Sequence, residues 1–211
     1  MAKSTLPIIW NTSIHSTSNV RMIDYHVDGD WRVRVHVSDT LQSGTFSLPK
    51  EQMPEFIHFD RYDLRNSYKD NLPDLFRITG GIVVVSARFR DLLTAHELGA
   101  SEFHEVALYE YDKTTRRPGR WFIFSVIEKK PTLVPEKSTG IKEMAEKGVY
   151  SPEIGASDVL AVRAASAQGA DLWQDPAMLY RLFLTDRLKR AIKEAGIKVR
   201  HMPMRKCVVI E

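Results

Sequence analysis

The sequence predicts an α+β fold in which mostly antiparallel sheets carry a few helices. Three patterns predict it: an alternating apolar stretch near the N terminus, a strand–helix–hairpin unit in mid-chain, and a weaker strand–helix–strand copy near the C terminus. The chain has 211 residues, a length typical of one domain. We therefore expect residues 1–211 to form a single domain, with an N-terminal β part (1–70) and a C-terminal α/β part (71–211).

The N-terminal part contains an alternating stretch, residues 31–37, in which apolar side chains occupy every second position. This period is typical of a strand with one solvent-facing side. Residues 20–27 also have strand character, and Asp28-Gly29, between the two stretches, is a favoured turn dipeptide. Together these features predict an N-terminal β-hairpin.

The central unit begins with residues 82–85, which are apolar and mostly β-branched, as in a buried strand. Ser86 is placed to cap a helix by accepting a backbone N–H group. The apolar side chains of that helix share one face: Phe89, Leu92, Leu93 and His96. Gly99 is predicted to end the helix. Strands are then predicted over 103–111 and 121–127.

The C-terminal copy starts with the apolar residues 182–184, followed by Thr185 as a second capping residue. Its helix repeats the apolar spacing of the first: Leu188, Ala191, Ile192 and Ala195. Gly196 is predicted to end this helix, and residues 197–204 to form a strand. Between the two units, a short helix is predicted over 141–147.

The charge of the chain is mild, since 30 basic against 27 acidic residues give a net charge of +3. Residues 181–206 are the exception, with nine basic and two acidic side chains and a local charge of +7. This segment either forms a solvated helix face or attracts an anionic partner. The second interpretation leaves a nucleic-acid-associated protein as the alternative function, although we do not expect nucleic acid to be the primary partner.

The predicted compartment is the cytoplasm. The chain contains no apolar run of about 18 residues that could cross a membrane, and its start lacks the apolar core of a secretory signal. Cys207 is the only cysteine, which is compatible with a reducing environment. We expect it to be partly buried and unreactive, and we expect no membrane partner.

Common catalytic signatures are missing from the sequence. It has no paired-histidine zinc motif, no phosphate-binding loop, no dinucleotide fingerprint and no nucleophile elbow. His26 and His36 lack acidic or cysteine neighbours at ligand spacing, so they are interpreted as ordinary strand residues. We therefore predict no enzyme activity, no cofactor and no metal. An acid–base pair of carboxylates stays open as a third alternative, because its geometry cannot be read from sequence.

The two units resemble a known family. The residues that carry the resemblance are Val84-Val85-Ser86, Leu92-Leu93, Glu102, Val106 and Trp121-Phe122, with Leu182-Phe183, Thr185, Leu188, Gly196 and Pro203 near the end. This pattern is similar to bacterial immunity-protein family eleven, formerly a domain of unknown function, encoded beside polymorphic toxins and secreted effectors. It covers about half the chain, and residues 1–70 and 131–172 show no matching features. The resemblance implies a cytoplasmic protein that binds and blocks a cognate toxin without catalysis.

A toxin-binding surface should contain aromatic and arginine side chains, because these dominate the binding energy of protein interfaces. For Trp31 and Trp121, packing in the core is the alternative role. The residues that we predict to contact the partner are Trp31, Asp60, Arg61, Tyr62, Arg116, Arg117 and Trp121.

Overall fold

The computed structural model describes residues 6–14, 23–27, 31–43, 48–60, 72–153, 158–199 and 202–211. Within these ranges the chain forms an α+β fold, as predicted. The helices are α1 (Trp31–Ser43), α2 (Ala87–Thr94) and α3 (Asp186–Glu194). None of these three is long and apolar enough to cross a bilayer.

Fourteen strands are present in the described ranges. In chain order they are β1 (Ile9–Thr12), β2 (Ile23–His26), β3 (Phe56–Phe59), β4 (Leu75–Arg77), β5 (Val83–Ser86), β6 (Glu102–Tyr109), β7 (Trp121–Ser125), β8 (Ile141–Glu143), β9 (Tyr150–Pro152), β10 (Ala161–Arg163), β11 (Leu172–Gln174), β12 (Leu182–Thr185), β13 (Met204–Lys206) and β14 (Val208–Ile210).

The strands form two main sheets. A six-stranded sheet has the order β2-β3-β6-β7-β5-β4, and only its β3–β6 pair is parallel. A four-stranded sheet has the order β11-β12-β1-β13 and is antiparallel throughout. The antiparallel pair β8–β9 and the parallel pair β10–β14 stand apart from both. Antiparallel pairing therefore dominates, as predicted from sequence.

Both main sheets contain the same strand arrangement around one helix. Helix α2 leads from β5 to β6, and β7 lies between these two strands, antiparallel to both. Helix α3 leads from β12 towards β13, and β1 takes the position between them. The flanking strand is β4 in the first sheet and β11 in the second. Each sheet therefore contains a split β–α–β unit, and the second unit takes its central strand from the N terminus.

The two helices begin as the sequence predicts. The Ser86 hydroxyl accepts a hydrogen bond from the Phe89 N–H group at 3.2 Å, and the Thr185 hydroxyl accepts one from Leu188 at 3.3 Å. Gly196 follows the last residues of α3 with a φ of +60°, which confirms its predicted role. Gly99 does not end α2, because that helix stops at Thr94 and Gly99 lies in the turn beyond it.

Apolar side chains pack in three clusters. The first lies between α1 and one face of the six-stranded sheet, and the second packs α2 and α3 against both sheets. The third surrounds Trp173 on the other face of the four-stranded sheet. Neighbouring residues of one strand enter different clusters, as Val84 and Val85 show, because strand side chains alternate between faces. The second cluster therefore joins the two units through one shared core.

The predicted N-terminal hairpin is wrong. Residues 31–37 form the first half of α1, and β2 pairs with β3 instead. Val33, Val37 and Leu41 are spaced by four residues, so they share one helix face and pack in the first cluster, whereas Val35 is 47% exposed. Apolar residues at every second position are also found at every fourth position. The seven-residue alternation is therefore compatible with a helix as well as a strand, and it did not distinguish the two. The turn at Asp28-Gly29 lies outside the described residues.

Two further predictions are corrected. Residues 141–147 do not form a helix but enter the β8–β9 hairpin, whose turn includes Gly148 at a φ of +81°. The Glu143 carboxylate accepts a hydrogen bond from the Gly148 N–H group at 2.9 Å. Of the strand predicted over 197–204, residues 197–199 and 202–203 are not strand and Met204 begins β13, while residues 200 and 201 lie outside the described residues.

Candidate partner-binding groove

The residues predicted from sequence to contact a partner are spread over several places. Trp31 is the first residue of α1, and Arg61 and Tyr62 lie outside the described residues. Asp60 is exposed and directly follows β3. Partner contact by these residues stays a prediction.

The two arginines predicted to contact a partner, Arg116 and Arg117, differ in their surroundings. Arg116 is exposed opposite Tyr109 of β6. Arg117 is largely buried, with its guanidinium 4.9 Å from the centre of the Phe59 ring and 3.4 Å from the Glu110 carboxylate. The parallel β3–β6 register places Asp60 and Arg116 at the same end of the six-stranded sheet. Arg117 therefore supports this end of the sheet, and Asp60 and Arg116 are the side chains it exposes.

Trp121 has the packing role that was the alternative to partner contact. It is the first residue of β7, half-buried against the first apolar cluster. Its ring meets that of Phe76 edge-on, with 5.4 Å between the centroids.

The described part of the chain contains a groove of about 480 Å³. We call it the inter-sheet groove, because strands of both main sheets line it together with α1. Its lining comes from five separate segments of the chain: Ser13 and Ile14; Asp39, Leu41 and Ser43; Arg77, Gly81 and Val83; Phe124, Val126 and Lys129; and Gln174, Asp175, Pro176, Met178, Leu179, Tyr180, Arg181 and Leu182.

Tyr180 is the most exposed large apolar side chain among the described residues, at 65%. It also has a φ of +61°, a left-handed conformation that costs a residue with a side chain about 1–2 kcal/mol. Lys113 is the other non-glycine residue with positive φ in the described ranges. A strained backbone that presents an exposed aromatic ring is typical of functional sites.

The wall beside Tyr180 is held by buried carboxylates. Asp158 is 3% exposed and pairs with Arg181 at 2.9 Å and with Arg205 of β13. Asp175 accepts backbone N–H hydrogen bonds from Thr132 at 2.7 Å, and also from Leu133 and Ala177. These contacts fix the segment that carries Tyr180 before any partner binds.

The basic segment 181–206 is partly neutralised by ion pairs. Arg181 and Arg205 share Asp158, Arg187 pairs with Asp171, and Arg190 pairs with Asp186. Lys189 lies over the ring of Trp10, 4.3 Å from its centroid. Four of the nine basic residues are thus engaged with carboxylates, which weakens the segment as an attractor of polyanions.

Groups with catalytic or metal-binding chemistry are few in the described residues. No cluster of three or more histidine, cysteine or acidic side chains there is arranged to hold a metal ion. Cys207 is 4% exposed, and burial raises the pKa of its thiol to about 11. Its sulfur lies 3.5 Å from the Asn11 side-chain nitrogen. The thiol is more fully buried than the sequence predicted, and it stays protonated at neutral pH.

Comparison with known proteins identifies the family. The sequence model of the Immunity protein family (Imm11) matches residues 9–206. The chain belongs to this family. Membership confirms the resemblance seen in the two units and extends it through most of residues 1–70 and all of 131–172. It indicates an immunity (antitoxin) role with a toxin as the general class of partner. No curated protein matches the chain.

The inter-sheet groove lies within the matched residues and was not found from sequence. No local pattern in the sequence indicates the groove, because the residues that line it come from segments far apart in the chain. The positive φ of Tyr180 could not be predicted either, because tyrosine is not a residue type that favours this conformation.

Proposed function

We propose that this protein binds a cognate secreted toxin and neutralises it by direct contact, without catalysis of its own. We further propose that it does so in the cytoplasm of the cell that produces the toxin. The observation that carries this proposal is the family match over residues 9–206, which includes both split units and the whole inter-sheet groove.

The structure supports a binding role through preorganisation. Binding is tighter when the contact surface does not have to be ordered on association. Here the groove is built on strands of two sheets that share an apolar core, and buried carboxylates hold its Tyr180 wall. Such a site presents the same shape before and after a partner arrives.

The test is co-expression with the product of the adjacent gene. We expect that product to arrest growth when expressed alone, and we expect growth to recover when this protein is co-expressed. We also expect the two chains to co-purify as a stable complex. An empty vector in place of this protein is the control for protection.

Two results would contradict the proposal. One is an adjacent gene product that is harmless and forms no complex. The other is protection without any physical complex, which would point to modification or degradation of the toxin in place of binding. Retention of this protein on heparin, lost after neutral substitutions of its basic segment, would favour the nucleic-acid alternative.

A further inference from the structure

The inter-sheet groove has an apolar floor. Phe124 and Val126, which are 3% and 4% exposed, come from the six-stranded sheet and the residues after it. Ile14 follows β1, and Leu182 begins β12, so the other sheet contributes equally. An apolar floor of this kind gains free energy when a partner's apolar side chain displaces water from it.

The charged residues at the groove divide into engaged and available groups. Arg181 is paired with Asp158, and Asp175 accepts backbone N–H groups, so neither can easily reorient. The Arg77 guanidinium is engaged as well, because it donates hydrogen bonds to the Gly81 and Ile14 carbonyl groups. Asp39 of α1 and Lys129 after β7 are both exposed and have no ion-pair partner within the described ranges. The groove therefore offers a partner one negative and one positive side chain, placed on different elements.

The presence of one negative and one positive side chain at the groove favours some classes of partner over others. A nucleic acid or an anionic lipid surface would be attracted by Lys129 but repelled by Asp39. A protein segment can carry one basic and one acidic residue around an apolar one, and it can complement both charges at once. The charge pattern therefore fits a protein loop.

Tyr180 completes the site. Tyrosine is enriched among the residues that dominate binding at protein interfaces, and this one is exposed at the groove with its hydroxyl free of hydrogen bonds within the described part of the chain. Its left-handed backbone holds the ring in this position at a cost in stability.

We propose that the inter-sheet groove is the toxin-binding site of this protein. Its occupant is a loop of the toxin that inserts an apolar side chain onto the Phe124–Val126 floor. A basic residue of the loop faces Asp39, an acidic residue faces Lys129, and Tyr180 packs against the inserted side chain. This inference rests on the proposed function and adds the surface and the chemistry of the contact.

The experiment measures the affinity of the purified toxin, inactivated for handling, for variants of the full chain. We expect Tyr180→Ala to raise Kd at least tenfold, and the charge reversals Asp39→Lys and Lys129→Glu each to raise it about tenfold. Lys193→Glu on α3 makes the same charge change as Lys129→Glu but away from the groove lining, and we expect it to leave Kd within about twofold. Arg116→Ala is the comparison that tests the surface predicted from sequence at the end of the six-stranded sheet.

Tyr180→Gly separates binding from folding. Glycine accepts a positive φ, so this variant should be as stable as the natural chain or more so, and it should bind as weakly as Tyr180→Ala. Weak binding by Tyr180→Gly with an undiminished melting temperature supports the groove.

Unchanged Kd in both Tyr180 variants and both groove charge reversals would overturn the inference. If Arg116→Ala then weakened binding, the toxin would sit at the far end of the six-stranded sheet and the proposed function would stand. Absence of any complex with the unaltered chain would overturn the proposed function itself, and this inference with it.

Discussion

The Arg187 guanidinium donates two hydrogen bonds to the Asp171 carboxylate where the two split units meet, with nitrogen–oxygen distances of 2.5 and 3.2 Å. The same carboxylate accepts hydrogen bonds from the Thr185 hydroxyl at 2.5 Å and from the Glu97 N–H group, which follows the other unit's helix, at 3.2 Å. Asp74 has the equivalent position in the first unit. Asp171 therefore ties its own helix cap to the neighbouring unit.

Asp74 makes the reciprocal contacts. Its carboxylate accepts hydrogen bonds from the Ser86 hydroxyl and from the Lys198 N–H group, both at 2.7 Å, and Arg88 approaches it at 4.0 Å. In each unit, an aspartate therefore accepts a hydrogen bond from the backbone that follows the other unit's helix. The two units are alike in these individual hydrogen bonds as well as in their strand order.

Replacing Asp171 with Asn should destabilise the fold in a pH-dependent way. Burial opposes ionisation of this carboxyl most strongly, but hydrogen bonds from Arg187, Thr185 and Glu97 together lower its pKa below the ordinary value. The ionised form is favoured in the folded state, so its contribution is present above the unfolded pKa, near 4, and is lost as pH falls through the folded pKa. We expect a loss of about 2 kcal/mol at pH 7, mainly from buried hydrogen bonds because Arg187 is largely exposed.

The measurement is urea unfolding of both proteins between pH 7 and pH 3. The difference in unfolding free energy should shrink towards the acid end. A difference that does not change with pH would contradict the assigned role of the carboxylate. The exposed Asp91, changed to Asn, serves as the control and should have little effect at any pH.

Removing the Ser86 hydroxyl should cost about 2 kcal/mol of stability, since Ser86→Ala takes away both the hydrogen bond that caps α2 and the one that the hydroxyl donates to the Asp74 carboxylate. Thr94 provides a matched comparison at the opposite end of the same helix, where its exposed hydroxyl only bonds the Asp91 carbonyl. Thr94→Ala should change the unfolding free energy by less than about 0.5 kcal/mol. Equal effects of the two changes in chemical denaturation would argue against the cap.

Two glycines with similar backbones should respond differently to alanine. Gly99 and Gly148 have φ values of +58° and +81°. A Cβ atom on Gly99 would lie 2.0 Å from the Glu128 carboxylate, whereas nothing lies within 4 Å of one on Gly148. Both changes should lower the unfolding free energy by about 1 kcal/mol, because alanine is strained at a positive φ. Gly99→Ala should cost more, because Glu128 must move and lose its hydrogen bond from the Ala100 N–H group.

Thermal unfolding followed by circular dichroism can compare the two glycine variants directly. The melting temperature of Gly99→Ala should be the lower one. If Gly148→Ala were the less stable, the close approach of Glu128 to Gly99 would not be the deciding contact.

Cys207 should resist alkylation in the folded protein. Burial raises the pKa of this thiol to about 11, so only about one molecule in a thousand carries a thiolate at pH 8. Iodoacetamide should modify Cys207 slowly without denaturant and rapidly in urea, as followed by mass spectrometry. Because the folded pKa exceeds the unfolded one, stability should also fall as pH rises from about 9 towards 11. Rapid modification of the native chain would show that the thiol is accessible.

The capping hydroxyls were the reliable local signals in the sequence, whereas Gly99 as a helix end and the short helix over 141–147 were wrong. Ser86 and Thr185 were predicted as caps because a hydroxyl followed by helically spaced apolar residues reflects chemistry within one turn. The 31–37 alternation failed because Val33, Val37 and Leu41 satisfy two periods at once, and only packing against the six-stranded sheet selects the helix. Propensity alone does not decide such a segment.

The groove could not be predicted by local reasoning. Asp39, Lys129 and Tyr180 are brought together by the way two sheets meet, and each is unremarkable in its own stretch of sequence. Aromatic and arginine content directed attention to Trp121 and Arg117, which pack against the core, and partner contact by these two residues stays a prediction. Residue type indicates what a side chain can do at an interface, whereas its exposure in the folded chain depends on contacts between distant segments.

Strand β1 lies between β12 and β13, so the four-stranded sheet cannot form until the end of the chain has been synthesised. Trp10 meets Asp186 across 176 residues of chain, which a ribosome adds in roughly 10–35 s at about 5–20 residues per second. During that time β1 has no sheet to enter, and Ile14 and Leu182 cannot yet face each other. The groove that we propose as the toxin-binding site is therefore complete only when translation is nearly finished. In the proposed role, a cell that makes both proteins gains from starting this chain before the toxin.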